Sequence, residues 1–234
     1  YSTLPEAATV RASENSSYLF LCSNETIGGI QWQEFPETGA VPLIADMSSD
    51  ILSRQLPADR FSLIYAGTQK NLGPAGATLV ILKNSLLEAQ NENLPAYLDY
   101  RLHAKNGGLY NTPPVFSIWA VQLVLKWMQK NGGVEGMAQR AKERSLAIYD
   151  VIDASDFYRS PVDSAYRSQT NVVFRLPSEE LEQTFLSEAS SVGMIGLKGH
   201  RSVGGLRASL YNSLPVEDAV ALAAFMREFE RTHG

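Results

Sequence analysis

Lys70 stands in the stretch "IYAGTQKNLGPAGATLVIL", Ile64 to Leu82, between two strongly apolar segments. A charged amine resists burial, so a lysine at the edge of two buried segments needs a reason. Desolvation favours the neutral amine, and a neutral amine attacks carbonyls in Schiff-base chemistry. Gly67, Gly73 and Gly76 surround it and are expected to admit a bound group by close backbone approach. The plainer alternative is an exposed turn lysine. A Walker phosphate loop does not fit, because no glycine directly precedes Lys70 and no Ser or Thr follows it.

Asp46 ends the apolar run "LIAD" and is followed by Ser48 and Ser49. Strand ends are where α/β proteins place site residues, although a helix-capping role serves equally. A carboxylate there, with a Schiff-base lysine after the next strand, can hold a pyridine nitrogen protonated and so make the ring an electron sink. Arg207 lies inside the apolar "GGLRASLY" and is hard to bury without an anionic partner. Its planar fork matches carboxylate and phosphate. His200 alone reads as a surface turn histidine. His103 and His233 receive no role.

The elements that must position these residues follow from the apolar patterning. "SYLFLC", "VPLIADM", "FSLIYAG" and "ATLVILK" are continuous apolar runs and predict strands covered on both faces. "SSDILSR" predicts a short helix. Thr112 is placed to cap a helix whose first turn takes Pro113 or Pro114, and whose apolar face includes Val115, Trp119, Val121, Leu123, Val124, Trp127 and Met128. Asn131–Gly133 ends it. A second helix runs from about Val134 to Ile152, with Met137, Ala141, Leu146, Ile148, Tyr149 and Ile152 inward. Then come strand "NVVFRL", a helix from Ser178 to Val192, strands "MIGLKG" and "GLRASLY", and a helix from Pro215 to Arg231. The expected organisation is α/β for residues 1–131 and a smaller C-terminal α+β domain for 132–234.

Composition excludes some functions. The net charge is −5, which offers nucleic acid no electrostatic grip. The one dense basic cluster, Arg140 to Arg144, reads as a solvated helix face. The single cysteine, Cys22, excludes an internal disulfide and a CxxC metal site, and no metal is expected. It suits a reducing, cytoplasmic compartment. No apolar run approaches the roughly 20 residues needed to span a bilayer, and neither a membrane partner nor a leader is expected.

The motifs "SNETIGG", "ADMSSDILSR", "YAGTQKNLGPAG", "NTPPVFSIW", "GHRSVGGLRASLYN" and "FMREFERTHG" occur in this order from about Ser17 to Gly234. In this the chain resembles the phosphoserine aminotransferase family, within the class V, fold-type-I pyridoxal-phosphate enzymes. The resemblance implies that residues 1–131 are the latter part of a large, mainly parallel-sheet α/β/α domain that binds pyridoxal 5′-phosphate. It implies that Lys70 forms the Schiff base and moves protons, that Asp46 partners the pyridinium, and that Thr26 lies by the ring hydroxyl. Gln69 would bind the cofactor phosphate. Asn111 and Thr112 would do so from the second subunit of a homodimer, where a helix start suits an anion. His200 and Arg201 would take the substrate phosphate and Arg207 the α-carboxylate.

The implied reaction moves an amino group between L-glutamate and 3-phosphohydroxypyruvate, giving O-phospho-L-serine and 2-oxoglutarate, in serine biosynthesis. Family members also act on a phosphorylated hydroxythreonine in pyridoxine biosynthesis. The resemblance further implies N-terminal sequence with a Gly-rich phosphate loop and a ring-stacking aromatic. "TIGGI" follows a strand but does not match that loop, and Trp32, Trp119 and Trp127 sit outside the stacking motif. Two alternatives stand. Another class V enzyme would lack a preference for phosphorylated keto acids. A truncated, non-catalytic interaction module would need none of Lys70, Asp46 and Arg207.

Overall fold

In the computed structural model, residues 2–88 and 93–234 are described. The apolar runs of the first third pair as expected. In chain order they are β1 (Leu19–Cys22), β2 (Asn24–Glu25), β3 (Ile30–Gln31), β4 (Leu43–Asp46), β5 (Leu63–Gly67) and β6 (Thr78–Leu82). Four of them form a sheet in the order β1-β4-β5-β6. The β1–β4 and β4–β5 pairings are parallel, and β6 closes the edge antiparallel to β5. β2 and β3 make a small antiparallel hairpin beyond β1.

The register separates the two faces of this sheet. Leu21, Leu43, Ala45, Ile64 and Ala66 pack against Phe35, Met47, Ile51, Phe61 and Leu72 from the connecting segments. Phe35 and Phe61 meet edge to face at 4.9 Å. Each such fully buried Leu, Ile, Phe or Met side chain contributes about 1.5–3 kcal/mol. On the opposite face Phe20 is half exposed and stacks on Tyr65, with Ile44, Cys22 and Asp46 beside them. Full cover therefore falls on one face, because the connecting segments all pack there.

"SSDILSR" forms consecutive turns rather than a helix, since Leu52 adopts φ 57°, outside the helical region. Two short helices have no counterpart in the sequence reading, α1 (Asn84–Glu88) and α2 (Tyr100–Lys105). Helix α3 (Val115–Lys130) starts later than expected. Pro114 occupies its N-cap position, and Thr112 caps nothing. Its apolar face is also largely uncovered, with Val115, Phe116, Trp119 and Leu123 exposed.

Helix α4 (Gly133–Asp153) follows directly. Its inner face matches the sequence reading at Met137, Ala141, Ile148, Tyr149 and Ile152, whereas Leu146 points to solvent. The basic cluster is not a solvated face throughout. Arg144 is fully buried, and its Nη1 donates to Leu214 O at 2.9 Å. Burial, and then Arg140 nearby, lower its pKa to about 10.

Beyond α4 come β7 (Asn171–Phe174), α5 (Glu179–Ser191), β8 (Leu206–Ser209) and α6 (Val216–His233). Ser178 caps α5 by accepting from Leu181 N at 3.2 Å. β7 and β8 pair antiparallel, and Phe174, Phe185, Leu206, Met226 and Phe229 fill a second core with Ile148 and Tyr158. "MIGLKG" is not a strand. Gly196 turns at φ 77° and Ile195 is exposed, leaving only an isolated bridge from Lys198 to Leu206.

Candidate active site

Parallel pairing puts the C-terminal ends of β4 and β5 side by side, with Asp46 opposite Tyr65. Asp46 Oδ1 accepts from Ser48 N at 2.8 Å, which turns the chain sharply after the strand. Ser48 Oγ then accepts from Gly67 N at 3.0 Å, tying the Asp46 turn to the start of the Lys70 turn. That second turn is closed by Leu72 N and Gly73 N, which both donate to Thr68 O.

Lys70 is half-buried in this turn and its Nζ donates to Thr26 Oγ1 at 2.7 Å. Thr26 belongs to the β2–β3 turn. From the other side Arg207 Nη1, on β8, donates to Thr26 O at 3.3 Å. Arg207 Nε is buried without a partner. One threonine thus joins the lysine to the arginine across 137 positions of sequence (207 − 70). The "TIGGI" amides are already engaged, for Ile27 N and Gly28 N donate to the Glu25 carboxylate at 3.2 and 2.6 Å.

The glycines around Lys70 do something other than expected. A Cβ on Gly76 would stand 2.9 Å from Ser117 Oγ, and one on Gly73 would stand 3.2 Å from Val121 Cγ2. Both therefore admit helix α3 rather than a ligand. Ser117 Oγ confirms the approach by donating to Ala75 O at 2.7 Å. Gly67 makes room for its own neighbour, since a Cβ there would lie 2.6 Å from Gln69 Oε1.

The other sequence-derived residues lie outside this cluster's hydrogen bonds. Gln69 is exposed at the turn. Asn111 and Thr112 are exposed ahead of α3, and Asn111 Nδ2 donates to Thr112 O at 3.1 Å. His200 and Arg201 sit on the loop leading into β8, where His200 Nδ1 meets Ser202 Oγ at 2.7 Å and Arg201 is exposed.

Burial, and then the Asp46 charge, push the Tyr65 phenol above its ordinary pKa. The same two causes push the Cys22 thiol up to about 11. Asp46 itself has no Lys, Arg or His partner among the described residues. A turn lysine, an uncompensated carboxylate at a neighbouring strand end and an arginine with a buried free Nε suit a ligand carrying an aldehyde, a basic ring nitrogen and anionic groups. Sequence reasoning missed the buried amides around these residues, Asn24, Asn71, Asn171 and Asn212. The available signal was position, because Asn71 directly follows Lys70 and Asn212 ends the "SLYN" of the Arg207 motif.

This fold and site define a class. The sequence matches the class-V aminotransferase family over residues 3–222, and the chain belongs to that family. Among its relatives, a phosphoserine aminotransferase from Niallia circulans is 52% identical over 235 residues, covering 100% of this chain and 65% of the relative. The solved phosphoserine aminotransferase from Bacillus circulans subsp. alkalophilus superposes with a TM-score of 0.97 at 51% identity, covering 99% of this chain and 64% of that one. A structure describing radiation damage of the Schiff base in phosphoserine aminotransferase gives a TM-score of 0.96 at 48% identity, covering 99% and 65%. The chain thus spans slightly less than two thirds of these relatives' length.

Proposed function

We propose that the whole protein is a pyridoxal-phosphate-dependent aminotransferase exchanging an amino group between L-glutamate and 3-phosphohydroxypyruvate, in serine biosynthesis. The observation that carries this reading is the convergence of Lys70 and Arg207 on Thr26. Relatives named phosphoserine aminotransferase at about half identity support the substrate assignment. When bound, the cofactor supplies an electron sink that acidifies the substrate Cα–H.

The chain's own residues do the rest. Lys70 Nζ is the amine that would hold the cofactor through its aldehyde carbon, and as a free amine it would carry the proton at the substrate Cα. Thr26 orients that amine and would face the ring hydroxyl. Asp46 would keep the pyridine nitrogen protonated. Gln69 would hold the cofactor phosphate, together with Asn111 and Thr112 of the partner subunit. Arg207 takes the substrate α-carboxylate, with its free Nε as an available donor. His200 and Arg201 take the phosphate. The same pair would accept a phosphorylated hydroxythreonine, the route to pyridoxine biosynthesis.

The exposed apolar start of α3 supports a homodimer that shares these sites. A division at residues 131 and 132 is supported by two separate apolar cores, one built from residues 21–72 and one from 148–229. The single cysteine supports a cytoplasmic location, and no described helix is long and apolar enough to cross a membrane.

The test is substrate preference. The full-length protein with glutamate should favour 3-phosphohydroxypyruvate over hydroxypyruvate, and Arg201→Ala should lose mainly that preference. Equal kcat/KM for the two keto acids would contradict the assignment and favour another class V enzyme.

A further inference from the structure

A chain of buried amides and one hydroxyl runs beneath the candidate site. Asn24, Ser49 and Asn71 are at most 3% exposed. Asn24 lies two positions before Thr26, Ser49 three after Asp46, and Asn71 one after Lys70. Each therefore sits beside one member of the site in the chain, with its own side chain buried.

Their hydrogen bonds form a continuous path. Asn24 Nδ2 donates to Ser49 Oγ at 2.8 Å, and Ser49 Oγ donates back to Asn24 O at 2.8 Å. Asn71 Nδ2 donates to Ile51 O at 3.1 Å and to Ser49 O at 3.4 Å. Both ends then cross to the β7–β8 sheet. Asn24 Nδ2 also donates to Asn171 Oδ1 at 2.9 Å, and Asn212 N donates to Asn71 Oδ1 at 3.1 Å. Asn212 Nδ2 in turn holds Leu52 O at 3.1 Å, at the residue with the unusual φ of 57°. A buried amide left unpaired bears its full desolvation cost, so a path with this many shared partners holds as a unit.

We propose that Asn24, Ser49 and Asn71 form a positioning network that fixes Lys70 relative to Asp46, and both relative to Arg207. The turn after Asp46 and the turn around Lys70 are locked together at Ser49. The Arg207 strand is held to them through Asn171 on β7, its paired strand, and through Asn212 just beyond its own end. These side chains hydrogen-bond to one another, to backbone and to Asn171 and Asn212, so the network acts through the three residues it places. This inference rests on the aminotransferase reading of the site.

The experiment uses the full-length protein and variants Asn24→Ala, Asn71→Ala, their double and Ser49→Ala. Phe185→Leu, in the core of the α4–α6 unit, serves as a stability control. The dissociation constant for pyridoxal phosphate is measured by fluorescence titration, at a temperature where melting curves show every protein folded. Each asparagine variant is expected to weaken cofactor binding about tenfold, the scale of roughly one hydrogen bond lost from the bound state. The double is expected to be no more than about threefold worse than the poorer single, since residues of one network are not additive. Ser49→Ala shifts binding in the same direction, and it serves alone if an asparagine variant does not fold. Phe185→Leu lowers the melting temperature and leaves binding unchanged. Binding within about twofold of wild type in all network variants, or weakening that merely tracks melting temperature across Phe185→Leu as well, overturns the network. Wild-type protein that takes up no cofactor would instead remove the functional reading on which it rests.

Discussion

Lys70 Nζ and Thr26 Oγ1 lie 2.7 Å apart, and this bond ties the candidate nucleophile to a hairpin that also receives Arg207. Thr26→Val keeps the shape and deletes the acceptor. The net loss in stability is about 1 kcal/mol, the ordinary worth of one hydrogen bond. The loss in kcat/KM is expected to be larger, about 10–100-fold, because the lysine is no longer aimed. Thr26→Ser should retain most of the activity. Steady-state kinetics checks both, and full activity in Thr26→Val would sink the aiming role.

Asp46 faces Tyr65 in register, and its charge helps to keep the Tyr65 phenol protonated. Asp46→Asn removes that charge. Tyr65 should then ionise at lower pH, read as a shift in the alkaline absorbance titration that is absent in Tyr65→Phe. The same change should lower kcat by about 100–1000-fold, the scale known for removing one preorganised electrostatic stabiliser from an active site.

Alkaline stability should be governed by Tyr149 and Tyr158. Tyr149 OH donates to Ser168 O at 3.0 Å and Tyr158 OH to Met226 O at 2.9 Å. Burial raises both phenols well above the ordinary value of 10.0. The folded protein keeps these protons where the unfolded chain has lost them. Stability is thus fully present below pH about 10 and falls as pH rises through the window up to the folded values. Urea titrations at rising pH should show this slope, reduced in Tyr149→Phe and Tyr158→Phe. Each variant should be about 1 kcal/mol less stable at neutral pH, where the lost bond alone counts.

Gly29 brings the β2–β3 hairpin against β7. It sits at φ 74°, and a Cβ there would stand 2.7 Å from Asn171 O. Gly29→Ala is expected to destabilise by about 2–4 kcal/mol, combining backbone strain with a contact that backbone cannot relieve. The urea midpoint gives the number, and a loss below about 1 kcal/mol would mean that the hairpin can move away from the strand.

The strands β1, β4, β5 and β6 and the helices α4, α5 and α6 were legible because continuous or periodic apolar runs report burial directly. Reading failed where a local pattern met a distant constraint. "MIGLKG" has strand composition, yet Gly196 breaks it. Gly73 and Gly76 look like ligand clearance, but they clear helix α3, whose contacting residues Val121 and Ser117 lie more than 40 positions on. Lys70, Asp46 and Arg207 stood out because their charges conflict with their apolar flanks. Asn24 and Asn171 gave no such conflict. Their bond spans 147 positions, and small amides in loops read as turn residues.

The most direct test of the account is the chemistry of Lys70. The full-length protein is incubated with pyridoxal phosphate, reduced with borohydride, digested, and the peptides are weighed. The account predicts a phosphopyridoxyl group on Lys70 alone, absent in Lys70→Ala and lost when glutamate is added before reduction. An unmodified Lys70, or labelling spread over several surface lysines, would contradict it.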